Sequence, residues 1–282
     1  MSNMAMSQED RQVLSALAAA RETHEELADL LDFYSDLYQV QFEAKARVPA
    51  PELRDELARS WRLEGGIPQV TFPQLGIEPA LLAEIVDQVL QVLQRHNPGW
   101  EEPPKEQDPA QLVALAQRIY DTWETLTAPG SAAEQGDEAW SQNHPTALAV
   151  GFALVPYLTR CADEILPHLD LDQWVHGYCP VCGGRPNLAL LEEERGARRL
   201  LCSRCNSLWN YGRTGCPFCR SKEKQTYYPS EDNVYRLYTC PDCNRYLKTV
   251  DLRELHREVV PVVERLVTVG MDLAAQQEGL RS

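Results

Sequence analysis

The sequence has no apolar run long enough to cross a membrane, because Pro156 and Arg160 interrupt its most apolar stretch, ALAVGFALVPYL. Its first residues, MSNMAMSQEDRQ, contain neither a basic segment nor an apolar core, and they do not resemble a secretory or twin-arginine signal. We therefore expect a cytoplasmic protein that is not inserted in a membrane. In such a reducing compartment, paired cysteines bind metal more often than they form disulfides.

Signatures of catalysis are also missing. The chain shows no glycine-rich phosphate loop, no nucleophile–base arrangement and no carboxylate dyad. Its six histidines are scattered, and no two have a spacing such as i, i+4 that would suit a shared metal ion. We therefore expect a protein that is not an enzyme and has no catalytic residues.

Basic residues are scarce outside one segment. Residues 1–176 carry 29 acidic and 11 basic side chains, residues 177–250 carry 7 and 12, and residues 251–282 carry 6 and 4, which gives the net charge of −15. An acidic front half repels phosphate, so nucleic acid is not an expected partner. The basic segment with its tyrosines nevertheless leaves a nucleic-acid-binding zinc ribbon open as an alternative.

The front part of the chain has the periodicity of an α-helical bundle. A length of 282 residues and a hydrophobic content of 44% are enough for two or three domains with cores of their own. Apolar residues recur about every 3.6 positions, and both Pro79 and the Asp108–Pro109 pair indicate helix starts. We predict an acidic α-helical domain over residues 1–176, with helices at 8–44, 51–61, 79–96, 108–126 and 145–167.

Short β-prone runs replace the helical period from Tyr178 onward. Residues 251–282 return to a helical period and are predicted to form a C-terminal helix. The strands between these two points are predicted at 187–191, 198–201, 208–211, 226–228, 234–239 and 246–250.

Eight of the nine cysteines form four Cys-x-x-Cys pairs. The first pair recurs after 23 residues and the third after 24, so two copies of one unit follow each other. Four thiolates at such spacings are typical of a tetrahedral metal site. The repeat favours one metal ion on Cys179, Cys182, Cys202 and Cys205 and a second on Cys216, Cys219, Cys240 and Cys243. An alternative is an interleaved grouping, in which Cys202 and Cys205 share a metal ion with Cys216 and Cys219.

The turns at these pairs support metal binding. Proline follows the first cysteine in three pairs, and Gly183, Asn206 and Asn244, which tolerate a positive φ, follow the second cysteine in three, with Arg220 as the exception. Redox-active dithiols without metal usually begin a helix, whereas these pairs flank predicted strands. Four thiolates accept either iron or zinc, so we predict two such ions, one per site.

The expected fold class is α+β, with a helical bundle, two tandem rubredoxin-like or zinc-ribbon modules at 177–212 and 213–250, and a C-terminal helix.

The runs CPVCGGRP and CSRCNSLW, the Arg213–Cys216 spacing and the ending CPDCNRYLK resemble the formate dehydrogenase accessory protein family, FdhE. The resemblance is close over residues 179–250, and Trp209 lies seven residues from both Cys202 and Cys216 as in that family. It departs at Asn210, where relatives often have histidine, and at the Asn244–Arg245 turn. The resemblance implies a cytoplasmic maturation factor that binds the catalytic subunit of formate dehydrogenase before assembly or export, with a rubredoxin-like, iron-binding cysteine region.

Several further expectations concern partners and single residues. Candidate contacts with the partner are Trp209, Arg213, Tyr246 and Lys248. The alternative for Trp209 is a place in the packing between the two ribbons, because large aromatic side chains are usually buried. Cys161, the ninth cysteine, lies on an apolar helix and is expected to be a core residue. A rubredoxin-like electron-transfer protein is the alternative function, and a homodimer is left open as the oligomeric state.

Overall fold

A computed structural model of the chain describes residues 6–99, 108–126, 145–193, 196–222, 225–255 and 257–281. In these residues the chain forms helices and one β-sheet, which confirms the α+β class. The chain divides into a helical unit (Met1–Pro51 and Phe72–Cys161) and a sheet unit (Glu52–Thr71 and Ala162–Ser282). These bounds differ from the domain boundaries predicted from the sequence, at residues 176, 212 and 250. In the structure, segment 52–71 groups with the cysteine-rich part of the chain.

The helices that precede the sheet largely follow the predicted pattern. The helix at Pro79–His96 has the predicted bounds, and the Asp108 carboxylate, just before the helix at Pro109–Leu126, accepts a hydrogen bond from the amide of Ala110 at 3.0 Å. The predicted helix at 8–44 is interrupted at His24, where a 3-10 turn at Glu25–Leu27 separates two helices. Within the described ranges every helix is too short or too polar to span a bilayer. The helices that precede the sheet are α1 (Gln8–Thr23), α2 (Ala28–Lys45), α3 (Glu56–Glu64), α4 (Pro79–His96), α5 (Pro109–Leu126) and α6 (Pro145–Ile165).

The apolar face of α4 lies at the centre of the helical unit. Leu82, Ile85, Val86 and Val89 have no exposed surface. Their spacing of three and four residues places them on one side of the helix, which packs against α2 and α5. Burial of this stripe away from water stabilises the helical unit without any contribution from metal.

A buried hydrogen bond compensates for the proline inside α6. Pro156 has no N–H to donate to the carbonyl four residues earlier, that of Phe152. This carbonyl instead accepts a hydrogen bond of 2.9 Å from Gln41 Nε2 on α2. Gln41 is 3% exposed, so its amide satisfies an acceptor that the proline would otherwise leave open in the core. Cys161, further along the same helix, is 2% exposed, as predicted for a core residue.

The six strands found in the described residues form one sheet, and both ends of each strand lie within one residue of the predicted bounds. They are β1 (Pro186–Leu191), β2 (Arg198–Cys202), β3 (Leu208–Tyr211), β4 (Thr226–Pro229), β5 (Tyr235–Thr239) and β6 (Tyr246–Asp251). Their order in the sheet is β3-β2-β1-β6-β5-β4. Each set of three is an antiparallel meander, and the central strands β1 and β6 are parallel, with Leu188 opposite Lys248. The two metal ribbons are thus halves of one continuous sheet.

The C-terminal helix is shorter than predicted and is divided in two. Residues 251–260, predicted as helical, contain the end of β6 and a turn, and the helices are α7 (Pro261–Val267) and α8 (Val269–Gln277). Pro261 is the first residue of α7, and the residue before it is extended, with φ −107° and ψ 100°. A proline at this position starts a helix well but prevents it from beginning earlier, which accounts for the difference.

Candidate metal centres

The first four-cysteine site lies where the turn before β1 meets the turn after β2. The Sγ atoms of Cys179 and Cys205 are 3.5 Å apart, those of Cys182 and Cys202 are 3.5 Å apart, and those of Cys182 and Cys205 are 3.4 Å apart. In a tetrahedral site with metal–sulfur bonds of about 2.3 Å, the sulfur atoms are about 3.8 Å apart. The four thiols are therefore arranged as a four-sulfur metal site requires.

The second site repeats this arrangement between the turns before β4 and after β5. The Sγ atoms of Cys216 and Cys243 are 3.6 Å apart, as are those of Cys219 and Cys240. Within each group of four, all sulfur atoms lie within 4.8 Å of one another. The structure thus brings the cysteines together in the sequential grouping and not in the interleaved one.

The four turns share one backbone geometry. In each turn the N–H of the first cysteine donates to the carbonyl five residues later, at 2.8 or 2.9 Å. Next to the second cysteine, Gly183, Asn206, Arg220 and Asn244 all have positive φ values, between +54° and +75°. Arg220, which the sequence marked as an exception, therefore adopts the left-handed conformation of the other three. The stability of the repeated turn outweighs the free-energy cost that the left-handed conformation has for a residue with a Cβ.

Burial and the neighbouring thiols shift the pKa values of the first site's cysteines in different directions. At the first site burial raises the pKa of Cys179 and of Cys205 well above the ordinary value. Burial acts in the same direction on Cys202, but hydrogen bonds from the three neighbouring thiols outweigh it and lower the pKa of that residue. A divalent ion would favour the thiolate form of all four residues.

The first site is closed, whereas the second is partly open to solvent. All four cysteines of the first site are at most 4% exposed. At the second site Cys216 and Cys240 are buried, but Cys219 is exposed and Cys243 is half-buried. The two sets of four cysteines thus have different surroundings, and only the second includes an exposed cysteine.

A short strap from the segment before α4 helps to close the first site. The N–H groups of Gln69 and Val70 donate to the carbonyls of Pro180 and Val181, each at 2.9 Å. The Tyr178 hydroxyl donates to the carbonyl of Gly66 at 2.7 Å. Gly66, Gln69 and Val70 fall within the predicted helical domain of residues 1–176, and their role at the first site was not predicted from the sequence. The β-prone run QVTF, bounded by proline on each side, is the only local signal that hinted at it.

Three of the four predicted partner contacts are buried. Trp209 has no exposed surface, and its Nε1 donates to the carbonyl of His176 at 3.1 Å. Tyr246 and Lys248 are 3% and 2% exposed. Arg213 is exposed. Of these four residues, only Arg213 presents its side chain at the surface, so direct contact with a partner stays a prediction for that residue.

Tyr246 and Lys248 anchor the C-terminal helices to the sheet. The Lys248 ammonium group donates to the carbonyl of Arg265 in the last turn of α7 at 2.8 Å and to Asp272 Oδ2 at 2.6 Å. The Tyr246 hydroxyl donates to the other oxygen of Asp272 at 2.9 Å. Burial lowers the pKa of Lys248, although the Asp272 carboxylate opposes the shift. A cation at the carboxyl end of α7 also complements the helix dipole.

Two four-cysteine sites on one six-stranded sheet define a double metal-ribbon protein. Comparison with known families gives a more specific result, because residues 178–213 match the model of the FdhE central domain. These residues contain the whole first site, Trp209 and Arg213. The resemblance to the FdhE family that the cysteine motifs indicated is therefore confirmed.

Individual relatives agree with this result. The chain is 36% identical over 132 residues to a protein FdhE homolog of Aquifex aeolicus, a match that covers 45% of this chain and 46% of the relative. A protein FdhE homolog of Haemophilus influenzae is 25% identical over 260 residues, covering 90% of this chain and 79% of the relative. The chain thus spans about half the length of the more similar of these two relatives, and most of the length of the other.

The fold of this chain is similar to that of a solved structure. The crystal structure of the FdhE protein from Pseudomonas aeruginosa superposes with a TM-score of 0.55, at 22% identity, covering 96% of this chain and 91% of that one. At this identity the likeness concerns the fold. It extends over both the helical unit and the sheet unit, well beyond the segment that the family model matches.

Proposed function

We propose that this protein is an accessory factor in the maturation of formate dehydrogenase and that it binds the catalytic subunit before assembly or export. The observation that carries the proposal is the FdhE central-domain match over residues 178–213, which includes a complete four-cysteine site. On this proposal the protein acts by binding and not by catalysis, and it works in the cytoplasm.

The two metal ions have a structural role in this proposal. Iron or zinc bound to four thiolates would cross-link the two turns that contribute to each site. Because such cross-links form only when the turns are folded, metal binding would contribute to the folding free energy of the sheet unit in addition to its buried apolar residues. The surface that recognises the partner would depend on them even if no metal ion touches the partner.

The test is affinity capture of the full chain from the native cell extract without oxygen, followed by identification of the bound proteins. Baits are the wild type, the double variant Cys179→Ser/Cys182→Ser, and Cys161→Ala as a control for loss of a cysteine outside both sites. We expect a formate dehydrogenase catalytic subunit with the wild type and with Cys161→Ala, but not with the double variant. Capture of no such subunit by the wild type, or equal capture by the double variant, would contradict the proposal.

The exposure of Cys219 favours a second candidate function, that of a rubredoxin-like electron-transfer protein. An iron ion at the second site would lie close enough to solvent to exchange one electron with a docked partner. The test is a redox titration of the iron-loaded protein, monitored by its thiolate-to-iron absorbance. A reversible one-electron transition that disappears in Cys216→Ser/Cys219→Ser would support this function. A chain that purifies with zinc alone at both sites would exclude it.

A further inference from the structure

A cleft of about 710 Å³ opens on the sheet unit, next to the loop that joins the two ribbons. It is lined by parts of segment 171–176, by the end of β3 and the loop 212–215, and by Arg220 and Lys222 beyond the third cysteine pair. The volume is within the range of ligand sites in proteins, about 300–1,000 Å³. None of the proposed functions above uses this cleft.

The charge of the cleft is opposite to that of the chain. Its lining contains four cationic side chains, those of Arg198, Arg213, Arg220 and Lys222, and one carboxylate, that of Asp172. The chain as a whole has a net charge of −15. Arg213, Arg220 and Lys222 are exposed at this surface. A concentration of positive charge in a concave site of an acidic protein raises the local concentration of anionic groups.

Apolar side chains lie beside these cations. Val175 is 74% exposed, and it lines the cleft together with Leu171, Trp174 and Tyr211. A free inorganic anion would gain nothing from such side chains. A peptide that alternates carboxylates with apolar residues would use both kinds of lining.

Other residues hold the cationic lining in place. Arg198 is 4% exposed, and its Nη2 donates to the carbonyls of Gly212 and Gly215, the latter at 2.7 Å, which fixes the loop that carries Arg213. Arg220 Nη2 is 3.1 Å from His176 Nδ1. The imidazole of His176 is stacked on Tyr178, with ring centroids 5.0 Å apart. The cleft is therefore largely preformed, which lowers the entropic cost of binding.

Arg220 is the most informative residue of this lining. It occupies the left-handed position that glycine or asparagine fills in the other three turns. Either of those residues would fit the turn at a lower conformational cost. Local strain of this kind is commonly retained where the side chain has a function.

We propose that this cleft binds an acidic segment of the partner protein, one that presents carboxylates next to an apolar side chain. The proposal rests on the proposed function above, since it assumes a protein partner. Arg213, Arg220 and Lys222 pair with the carboxylates, while Val175 and Tyr211 contact the apolar side chain. Exposed charges at the edge of an interface affect mainly the association rate and its salt dependence.

The test measures binding of a fluorescently labelled peptide of alternating Glu and Leu to the full-length, metal-loaded protein by anisotropy. A peptide with Gln in place of Glu is the neutral control. The protein variants are Arg220→Asn, which removes the charge but suits the left-handed turn, Lys222→Gln, and Arg118→Gln as a matched loss of charge in the helical unit. We expect the acidic peptide to bind and the Gln peptide not to bind. Each cleft variant should weaken binding about threefold to fivefold at low salt, and Arg118→Gln should leave it unchanged.

Several results would overturn the proposal. These are equal binding of both peptides, equal losses for Arg118→Gln and the cleft variants, displacement of the peptide by inorganic phosphate at equal concentration, and tighter binding of a single-stranded oligonucleotide. The capture experiment separates this proposal from the proposed function. If Arg220→Asn/Lys222→Gln still captures the formate dehydrogenase subunit as well as the wild type does, the cleft is not the docking site, although the accessory function stands.

Discussion

The turns at the metal sites depend on single residues with a positive φ. Gly183 has a φ of +75°, and a Cβ at this position would lie 3.1 Å from Pro68 Cγ of the strap. Gly183→Ala should therefore lower the free energy of unfolding by about 1–2 kcal/mol. Arg220→Gly should have the opposite effect and raise it by about 0.5–1 kcal/mol, because it relieves the same conformation. Urea unfolding of the metal-loaded proteins checks both, and a stabilised Gly183→Ala would refute this account of the turns.

A second glycine is required by close approach and not by its φ. A Cβ on Gly177 would lie 1.9 Å from the carbonyl oxygen of Pro217, so the backbone before the first site touches the backbone of the second. Gly177→Ala must push the two ribbons apart and should cost about 3 kcal/mol. Gly212→Ala is the control, because the nearest atom to its added Cβ is 3.5 Å away. Thermal unfolding should give a clearly lower melting temperature for Gly177→Ala than for Gly212→Ala. Equal melting temperatures would show that the backbones at Gly177 and Pro217 can separate at little cost in free energy.

At the scale of elements, the end of β6 is held by a buried carboxylate. Asp251 is not exposed, and it accepts hydrogen bonds of 2.7 and 2.6 Å from Arg253 and forms an ion pair with Arg236. Burial raises the pKa of Asp251, but the two arginines outweigh this and hold it below its usual range. The stabilisation from the ionised carboxylate is therefore present above the ordinary carboxyl pKa, and it is lost as the pH falls through the lower pKa of the folded state.

Without the negative charge of Asp251, Arg236 and Arg253 stay partly buried but lose the carboxylate that pairs with them. Asp251→Asn should lower the free energy of unfolding by about 3 kcal/mol at neutral pH. Glu192→Gln is the matched control, because Glu192 pairs with Arg199 at 3.2 Å in a half-buried position that solvent still reaches, and this change should alter stability by less than about 1 kcal/mol. The measurement is urea unfolding of the wild type and the variants at neutral pH and at acidic pH. The difference between Asp251→Asn and the wild type should shrink at acidic pH, and a difference independent of pH would point to packing instead of charge.

The two metal sites should also differ in how readily they release their ions. Cys219 is exposed at the second site, whereas all four cysteines of the first are buried and covered by the strap at Gly66–Val70. A chelator that adds to a site from solvent should therefore remove one equivalent of zinc quickly and the other slowly. In Cys216→Ser/Cys219→Ser the fast phase should be absent, and in Cys179→Ser/Cys182→Ser it should be retained. A single phase for both equivalents would show that exposure of Cys219 does not control release.

At the scale of the whole molecule, the parts that could be predicted from sequence are those determined by neighbours in the chain. The strands, the four metal turns and α4 depend on local spacing, and their bounds agree closely with the predictions. The parallel pairing of β1 with β6 joins residues about sixty positions apart, and the strap joins Gly66 to Tyr178 across 112 positions. A local sequence pattern can indicate a β-prone segment, but it does not identify the distant residues that the segment contacts. The burial of Lys248 was not predicted for the same reason, since its partners Arg265 and Asp272 lie on α7 and α8, later in the chain.

The helical unit and the sheet unit should respond differently to removal of metal. The helical unit has an apolar core around α4, whereas the sheet unit depends on eight thiols to join its turns. After chelation of both ions, hydrogen exchange should show loss of protection for the amides of β1, β2 and β6, while those of α2 and α4 keep theirs. Zinc added back to the chelated protein should restore the lost protection. Equal loss in α4 would mean that the chain unfolds as one cooperative body. Full retention in β1 and β6 would mean that the apolar core around Leu188 and Val250 holds the sheet without metal.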